Sequence, residues 1–319
     1  MHHVQAFLSS LELGPTAAAA DLAMFPLVAP GAREPGYVTL QDAILAGHAR
    51  VTETSEAGSV PELRLVNDGS RPVLIVDGEE LVGAKQNRIV NITILVPARS
   101  ALTIPVSCVE AGRWSAQSHE FASADRAFHA SGRRAKVEQV SASLRSSSSR
   151  RSDQGAIWDE IQAKSARMGA VSSTGAAAAM FEAAHARLET FTKELRPVDG
   201  QVGAVFAIRG AIVGLDAFDS LRTWARVMPG LVRSYGLDAL DTAMGGNTFA
   251  QPEPQRFLQA IGEAPVETFP AIALGSDVRI CGESVVGGAL VVDDRVVHIL
   301  AFPKRDATRP KTRRHWGVE

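Results

Sequence analysis

The chain contains few cysteines and few aromatic residues. Its 319 residues include two cysteines, Cys108 and Cys281, and aromatic side chains make up 6% of the total. Two cysteines so far apart provide neither a disulfide framework nor a paired metal-ligand motif. The sequence therefore excludes a disulfide-stabilised secreted domain and a cysteine-rich zinc module, and it favours a reduced, intracellular protein.

Long hydrophobic runs and an excess of one charge are also absent. No apolar run approaches the roughly 18 residues that a membrane helix needs, and the segment Met1–Gln5 lacks the features of a secretory signal. The 33 lysine and arginine residues nearly balance the 35 aspartate and glutamate residues, which argues against a global attraction to nucleic acid or to an acidic membrane. We therefore expect a cytoplasmic protein without membrane attachment, and we do not expect nucleic acid as a partner.

Hydropathy patterns divide the chain into three parts. Short β-branched and aliphatic runs predict a strand-rich part over residues 7–114, interrupted by one helix that Thr39 caps. Apolar spacings of three and four predict a mainly helical part over residues 115–245, and strand patterns return over residues 246–303.

The order β, α, β decides the expected fold class. Neither β part has helices regularly interleaved with its strands, as a doubly wound parallel sheet requires. We therefore predict an α+β fold, in which antiparallel C-terminal strands close one large domain over residues 7–303. The basic tail, residues 304–319, lacks apolar periodicity and is predicted to be flexible.

A serine- and arginine-rich stretch, residues 145–152, stands inside the helical part. Its positive charge suits contact with phosphates, but serine-rich stretches are usually simple connectors. We favour a flexible, solvated linker between a short helix around Val137, Val140 and Leu144 and the next helix, which Asp153 caps.

Polar groups are concentrated between the strands of one segment, residues 73–114. Its β-branched runs enclose Asp77-Gly78-Glu79-Glu80 and Lys85-Gln86-Asn87-Arg88. A fold does not require such a set, because each buried polar group that lacks a partner costs about 1–3 kcal/mol. The segment is therefore predicted to form a functional site.

Glu79 and Glu80 are candidate catalytic residues. Adjacent side chains of a strand point to opposite faces, so both carboxylates reach one pocket only if the backbone turns there, as Gly78 and Gly83 would allow. The pair would then bind a divalent cation, whose identity the sequence leaves unknown, or act as acid and base. Without that turn, at most one of the two carboxylates is functional. Asp-Gly is also the commonest sequence of a hairpin turn, so the alternative is that Asp77-Gly78 only forms a turn.

Lys85, Gln86, Asn87 and Arg88 are candidate ligand-binding residues. Their amide and charged groups suit phosphate, ribose hydroxyls or an adenine edge, and Arg88 is the strongest candidate. The alternative for Arg88 is an ion pair with Glu79 or Glu80 that only holds a turn together.

A further polar group follows the next predicted strand. Glu110 is a third candidate base or metal ligand, Arg113 is a candidate ligand contact, and Trp114 either stacks on a base or covers the sheet edge. Cys108 is a candidate nucleophile. No histidine stands near it in the sequence, and a lone cysteine in a β-branched strand is usually a core residue.

Histidines and glycines supply few other candidates. The histidines lack the spacing of a zinc site, and His298 alternates with apolar neighbours, so it either faces the same cleft or, as we favour, lies in the core. No glycine-rich segment has the spacing of a phosphate loop or of a dinucleotide-binding fingerprint. The sequence therefore does not indicate a classical nucleotide-binding fold.

Residues 77–88, followed by residues 104–110 and by Gly112-Arg113-Trp114, resemble the core of a prokaryotic family. That family is named for its association with ADP-ribosylglycohydrolases and with rhodanese or phosphatase superfamily proteins. The similarity extends over roughly residues 7–302, an extent that fits one large domain. The resemblance implies a link to ADP-ribose and NAD-derived metabolites, and it assigns no catalytic residue.

Two hypotheses of different classes follow. In the first, the protein is an enzyme that processes or hydrolyses an ADP-ribose or NAD-derived phosphorylated nucleotide, with Lys85, Arg88 and Arg113 on the phosphate. In the second, the same surface binds such a ligand, or a partner protein, without reaction. Both predict that Glu79 or Glu80 converges on one cleft with the side chains of Arg88, Glu110 and Arg113.

Overall fold

The computed structural model of the chain describes residues 3–32, 34–55, 58–115, 118–241 and 251–304. Within these ranges the strands, numbered in chain order, are β1 (Glu12–Leu13), β2 (Ala17–Ala19), β3 (Leu22–Val28), β4 (Val38–Thr39), β5 (Ala49–Glu53), β6 (Glu62–Asn67), β7 (Val73–Ile75), β8 (Glu79–Gly83), β9 (Arg88–Val90), β10 (Ile94–Val96), β11 (Ser100–Cys108), β12 (Glu120–Ala127), β13 (Gln201–Ile208), β14 (Ala211–Phe218), β15 (Val266–Pro270), β16 (Ser276–Cys281), β17 (Val285–Val292) and β18 (Arg295–Pro303). The helices are α1 (His3–Ser9), α2 (Leu40–Leu45), α3 (Ala130–Ser147), α4 (Gln154–Met168), α5 (Ala178–Ala183), α6 (His185–Glu194), α7 (Leu221–Leu240) and α8 (Pro254–Glu263).

A nine-stranded antiparallel sheet combines strands from both ends of the chain. Its order is β1-β3-β13-β14-β18-β17-β16-β15, and β2 pairs with β3. The sequence also predicts two hairpins, with turns at Arg209-Gly210 and Asp293-Asp294. Both hairpins lie in this sheet, and both residues of each turn have positive φ. Two consecutive residues with positive φ fit the tight turn that matches the twist of paired strands. The predicted α+β class, with antiparallel C-terminal strands, is confirmed.

The N-terminal strands form a closed six-stranded barrel beside this sheet. The order around the barrel is β11-β6-β5-β12-β8-β9, and a small sheet, β10-β7-β4, lies next to it. A cluster of buried apolar side chains includes Val51, Leu65, Leu81, Val106 and Phe121 from the barrel strands. Small barrels are filled by side chains in this way, so most of the lumen is core rather than channel.

Local capping explains where several helices begin. The Thr39 hydroxyl accepts a hydrogen bond from the Asp42 backbone N–H at 3.3 Å, and Asp153 accepts one from the Ala156 N–H at 3.0 Å. Such side-chain caps satisfy backbone donors that the first helical turn leaves free. The pair Pro229-Gly230 predicts a kink or a division, but helix α7 runs without a break through Pro229.

Two local predictions were wrong. Apolar spacing in the sequence predicts one helix that begins at Ser173 or Thr174, but the structure has two helices there, α5 and α6, which meet at Ala184. Helix α3 continues to Ser147, so the first part of the 145–152 stretch is helical rather than a linker. Farther along, Arg150 forms an ion pair with Asp277 at 3.0 Å, so this stretch is anchored to β16 and is not simply solvated.

Two further predictions concern the C-terminal tail and membrane attachment. Within the predicted tail, residues 305–319 lie outside the described residues. Among the helices in the described part of the chain, none is long and apolar enough to cross a membrane.

Candidate functional site

Glu79 stands at the start of β8, directly after a tight turn. Gly78 has a φ of 80°, and the Glu79 N–H donates to the Val76 carbonyl at 3.0 Å. The Glu79 carboxylate accepts hydrogen bonds from the Val76 N–H at 3.2 Å and from the Ser123 hydroxyl at 2.8 Å. A side chain at Gly78 would press against Arg133 and would also be strained by the positive φ, so glycine is required for this turn.

The Glu79 carboxyl group has an unusual acidity for a glutamate. Removal from solvent raises its pKa from 4.5 to about 7, against the opposing effect of the hydrogen bonds from Ser123 and Val76. The negative charge of Asp125 raises the pKa further. A group with this pKa exchanges a proton at neutral pH, as a general acid or base must.

Glu79 lines an open cleft between the barrel and α7. Ser123, Asp125, Arg126 and Arg226 also line it. An irregularity in β12 between Ser123 and Ala127 shapes this wall. Bulges of this kind redirect side chains and are frequent beside functional sites.

Helix α7 packs closely on the irregular part of β12. Asp125 has a φ of 53°, and a Cβ at Gly230 would lie 3.0 Å from the Asp125 carbonyl oxygen. The carboxylate of Asp125 lies 3.5 Å from Arg226 and 4.0 Å from Arg233. These contacts fix one carboxylate and two guanidinium groups along the side of the cleft.

A second cleft adjoins the first and shares Asp125 and Arg126 with it. It holds about 890 Å³ of empty space, including its open part, and is lined further by His185, Glu189 and Arg233. The two clefts therefore offer a continuous surface on which anionic and cationic groups alternate.

Glu80 does not line the cleft that Glu79 lines. Its side chain is buried, and its carboxylate pairs with Arg126 at 2.5 Å. The turn lies at Asp77-Gly78, before β8 begins, so Glu79 and Glu80 alternate as in any strand. Of the two predicted carboxylates, only Glu79 is placed to meet a ligand in this cleft.

The predicted residues from Lys85 onward gather at one end of the barrel, around Arg113. The Arg113 guanidinium donates to the carbonyls of Ala84, at 2.6 Å, and Ser115, at 3.0 Å, and to the carboxylate of Glu110 at 2.7 Å. It also donates to the Asn87 side chain at 3.2 Å. Through these hydrogen bonds Arg113 links the β8–β9 connection to the segment that follows β11.

Glu110 is the acidic centre of this arrangement. It accepts hydrogen bonds from Arg113, from the Asn87 N–H at 3.1 Å and from the Thr174 hydroxyl at 2.8 Å. Burial favours a higher pKa, but the hydrogen bonds from Arg113 and Thr174 outweigh it and hold the pKa of Glu110 below its usual value. A carboxylate so fully engaged is suited to structure rather than to proton transfer.

Arg88 lies under Trp114 at the same end of the barrel. Arg88 is fully buried and donates to the Gln86 amide oxygen at 3.0 Å, and its guanidinium stands 5.7 Å from the centre of the Trp114 ring. Lys85 approaches the same ring at 5.4 Å. Trp114 itself is 48% exposed, so the ring covers Arg88 and also meets solvent.

Cys108 is not placed as a nucleophile. It is fully buried, its thiol donates to the Gln86 amide oxygen at 3.0 Å, and burial raises its pKa to about 11. A reactive cysteine needs an accessible thiolate. The structure therefore supports the interpretation of Cys108 as a core residue.

His298 belongs to a buried ionic network, which we define as Asp77, Thr93, Arg133, Lys136, Asp216, Tyr235 and His298. His298 lies 2.6 Å from the Thr93 hydroxyl and 3.3 Å from the Asp216 carboxylate. Asp216 accepts two hydrogen bonds from Arg133, at 3.0 and 2.5 Å, and Lys136 donates to Asp77 at 2.6 Å. The network joins the nine-stranded sheet to the barrel side through α3, and it keeps His298 away from the Glu79 cleft.

Several residues of these sites were not identified as functional from the sequence. Glu53, Asp125 and Arg226 stand in segments whose pattern gave no sign of function. Lys136 carried a usable signal, since it stands four residues before Val140 on a helix face that continues to Leu144, all of them buried. A charged residue on an apolar face is a sign of a buried partner.

The described residues contain no group of three or more histidine, cysteine, aspartate or glutamate side chains arranged to hold a metal ion. The predicted residues thus divide among the Glu79 cleft, the barrel end around Arg113 and Arg88, and the buried ionic network.

Comparison with protein families gives a match over residues 10–302, to a family described as the ARG and Rhodanese-Phosphatase-superfamily-associated Protein domain, ARPP-1. The chain belongs to the ARPP-1 family. The match covers nearly all of the chain, from β1 into β18, and so includes all three places described above. Comparisons with curated proteins and with solved structures find no match.

Proposed function

We propose that this ARPP-1 protein hydrolyses a phosphorylated nucleotide of the ADP-ribose or NAD-derived class in the Glu79 cleft. The proposal depends on one observation: the Glu79 carboxyl group lines an open cleft and has a pKa raised by burial to about 7. At neutral pH both protonation states are populated. The ionised form can take a proton from an attacking water, and the neutral form can give one to the leaving group.

The arginines of the two adjoining clefts support a phosphorylated substrate. Arg226 donates to Asp42 at 2.8 Å and Arg233 to Glu189 at 2.9 Å, but both approach the Asp125 carboxylate only at 3.5 and 4.0 Å, longer than a good charge-assisted hydrogen bond. A phosphate has the charge and oxygen geometry to engage guanidinium groups with shorter contacts. The family's association with ADP-ribosylglycohydrolases favours ADP-ribose-like nucleotides within this class.

A second candidate function is binding without reaction. The observation that favours it is the pairing of the cleft arginines, since Arg226 also donates to Asp42 at 2.8 Å and Arg126 is bound to Glu80. Arginines held by carboxylates form a firm surface for a ligand or a partner protein, but they are less free to follow a reacting phosphate. This candidate predicts binding that Glu79 ionisation barely affects.

Purified full-length protein incubated with ADP-ribose, NAD and their phosphorylated relatives separates the two functions. Product formation and binding are followed independently, with and without magnesium or manganese. We expect turnover of at least one compound, a loss of at least 100-fold in Glu79→Gln, and little change in the matched variant Glu120→Gln, whose carboxylate is exposed on the same barrel.

The pH profile supplies the second criterion. Turnover by wild-type protein should respond to ionisation near pH 7, and the residual activity of Glu79→Gln should lack that response. Binding without turnover would support the second candidate. Absence of both would refute the proposed ligand class, and turnover unaffected by Glu79→Gln would refute the assignment of Glu79.

A further inference from the structure

Ser123 lies beside Glu79 at one mouth of the barrel. Leu81 is the pairing partner of Ser123, and the side chains of Leu81 and Phe121 belong to the barrel core. Paired residues, and residues two apart on one strand, share a face. Glu79 and Ser123 therefore both lie on the inner face of the barrel wall, one step beyond the core. Both side chains line the open cleft and are only partly buried, so solvent reaches this pair.

The hydrogen bonds of this pair have a direction. The Ser123 hydroxyl donates to one carboxylate oxygen of Glu79 at 2.8 Å, and the Val76 N–H donates to the other at 3.2 Å. Among the residues that the structure describes, Ser123 Oγ makes no further hydrogen bond, so its lone pairs remain for an electrophile. A hydroxyl bonded to a base, with the base held by a third group, is the arrangement that activates serine nucleophiles.

The backbone around Ser123 is irregular in a way that regular strand pairing does not require. The register of β12 shifts between Ser123 and Ala127, and Asp125 has a φ of 53°. Non-glycine residues in this region of φ are strained, and they cluster at active sites. The same irregular segment carries the serine, the strained aspartate and the next residue, Arg126, to the wall of the cleft.

Arg126 supplies positive charge beside Ser123. Its Nε donates to Glu80, and within the described part of the chain this is its only hydrogen bond. The other two guanidinium nitrogens are not among the buried atoms that lack a partner, so they are open to a ligand in the cleft. Two parallel N–H groups match two oxygens of a phosphoryl group.

We propose that Ser123 is the nucleophile of this site, and that hydrolysis in the Glu79 cleft proceeds in two steps through a phosphoester on Ser123. This inference rests on the proposed function and adds the group that attacks. Ser123 would be a catalytic residue, Glu79 its base, and Arg126 the group that binds the oxygens of the reacting phosphorus.

The first step transfers the phosphorus to the serine. Ser123 Oγ forms a bond to phosphorus, its proton passes to Glu79, and the bond from phosphorus to the leaving oxygen breaks. Glu79 then gives the proton to that oxygen. In the second step, a water oxygen forms a bond to phosphorus and loses a proton to Glu79. The bond between phosphorus and Oγ breaks, and Oγ regains the proton, so the net reaction consumes one water.

Incubation of the full-length protein with a small alkyl fluorophosphonate tests the nucleophile whatever the natural substrate is. Attack by Ser123 forms an oxygen–phosphorus bond and expels fluoride, so the peptide that contains Ser123 gains the mass of the phosphonyl group. Peptide mass spectrometry should find this adduct in the wild type. Labelling should be lost in Ser123→Ala and at least tenfold slower in Glu79→Gln, and it should be unchanged in Ser146→Ala, which alters an exposed serine of α3. No adduct on Ser123 in the wild type, or equal labelling rates in the wild type and Glu79→Gln, would overturn the proposal.

Turnover measurements separate this proposal from the proposed function. With any nucleotide that the wild type hydrolyses, Ser123→Ala should lose at least 100-fold in rate while its circular dichroism spectrum is unchanged. Acid-quenched wild-type reactions should contain the Ser123 peptide with the transferred group attached. Turnover that requires Glu79 but persists in Ser123→Ala would keep the hydrolysis, with water as the direct nucleophile, and overturn the role of Ser123. Labelling of Ser123 without turnover of any nucleotide would support the nucleophile and refute the proposed ligand class.

Discussion

Replacing Glu79 with glutamine tests its burial through the pH dependence of stability. The pKa of Glu79 is raised by burial from 4.5 to about 7. The two values differ by about 2.5, which corresponds to about 3 kcal/mol at about 1.4 kcal/mol for each tenfold change in proton affinity. This is the amount by which ionisation of Glu79 alone changes the free energy of unfolding between low and high pH.

The sign follows from which state holds the proton. As the pH rises above 4.5, the unfolded chain ionises at Glu79 while the folded protein keeps its proton until about pH 7. The folded state therefore binds more protons in this window, and its stability falls as the pH rises. The contribution is present in full below pH 4.5, is lost as the pH rises through the folded-state pKa, and is constant above it.

Urea unfolding of wild-type protein and Glu79→Gln at a series of pH values measures this effect. Glutamine cannot ionise, so the variant should gain about 3 kcal/mol relative to the wild type between pH 4.5 and about pH 8. Hydrogen bonds to Ser123 and Val76 that glutamine makes less well shift the whole difference by a constant amount. A difference in unfolding free energy that stays flat across this pH range would refute the burial of Glu79 and its role as an acid–base group.

Three further predictions concern the other places in the structure. Arg113→Lys should lower the unfolding free energy by about 2–4 kcal/mol in urea titrations, because lysine cannot reproduce the fork of hydrogen bonds to Ala84, Ser115 and Glu110; a loss under about 1 kcal/mol would contradict this. Asp216→Asn should cost about 3–5 kcal/mol, because Arg133 is left buried with part of its countercharge removed, whereas the exposed control Asp199→Asn should change stability by less than about 0.5 kcal/mol. In native protein at neutral pH, iodoacetamide should modify the half-buried Cys281 before the buried Cys108, and peptide mass spectrometry showing the reverse order would be inconsistent with the high pKa of Cys108.

The features that the sequence predicted well depend on nearby residues. Thr39 and Asp153 cap helices through contacts three residues away, and Asp293-Asp294 forms a tight turn through its own backbone. Strand β12 was missed because its sequence, Glu120–Ala127, contains no β-branched residue and changes register at a bulge. It forms a strand by pairing with β5 and β8, which lie far away in the sequence.

The candidate site was predicted in composition but not in arrangement. Residues 85–88 and 108–114 do come together, because β9 pairs with the end of β11. Glu79 lies apart from them because β8 carries the chain across the barrel wall before Arg88 is reached. The partners Glu53 and Asp125 belong to other strands, and the closure of the barrel that brings them close is a long-range event that no local pattern encodes.

The buried ionic network affects how cooperatively the protein unfolds. Asp77 lies on the barrel side, Asp216 lies in the large sheet, and Arg133 and Lys136 of α3 hold one each. Pulling the two sheets apart would leave a guanidinium or a carboxylate in the interior without its counterion, at a cost of several kcal/mol. We therefore expect a single cooperative melting transition, and a fragment that ends before Asp216 should not fold, since it would trap an uncompensated positive charge where the missing strand belongs.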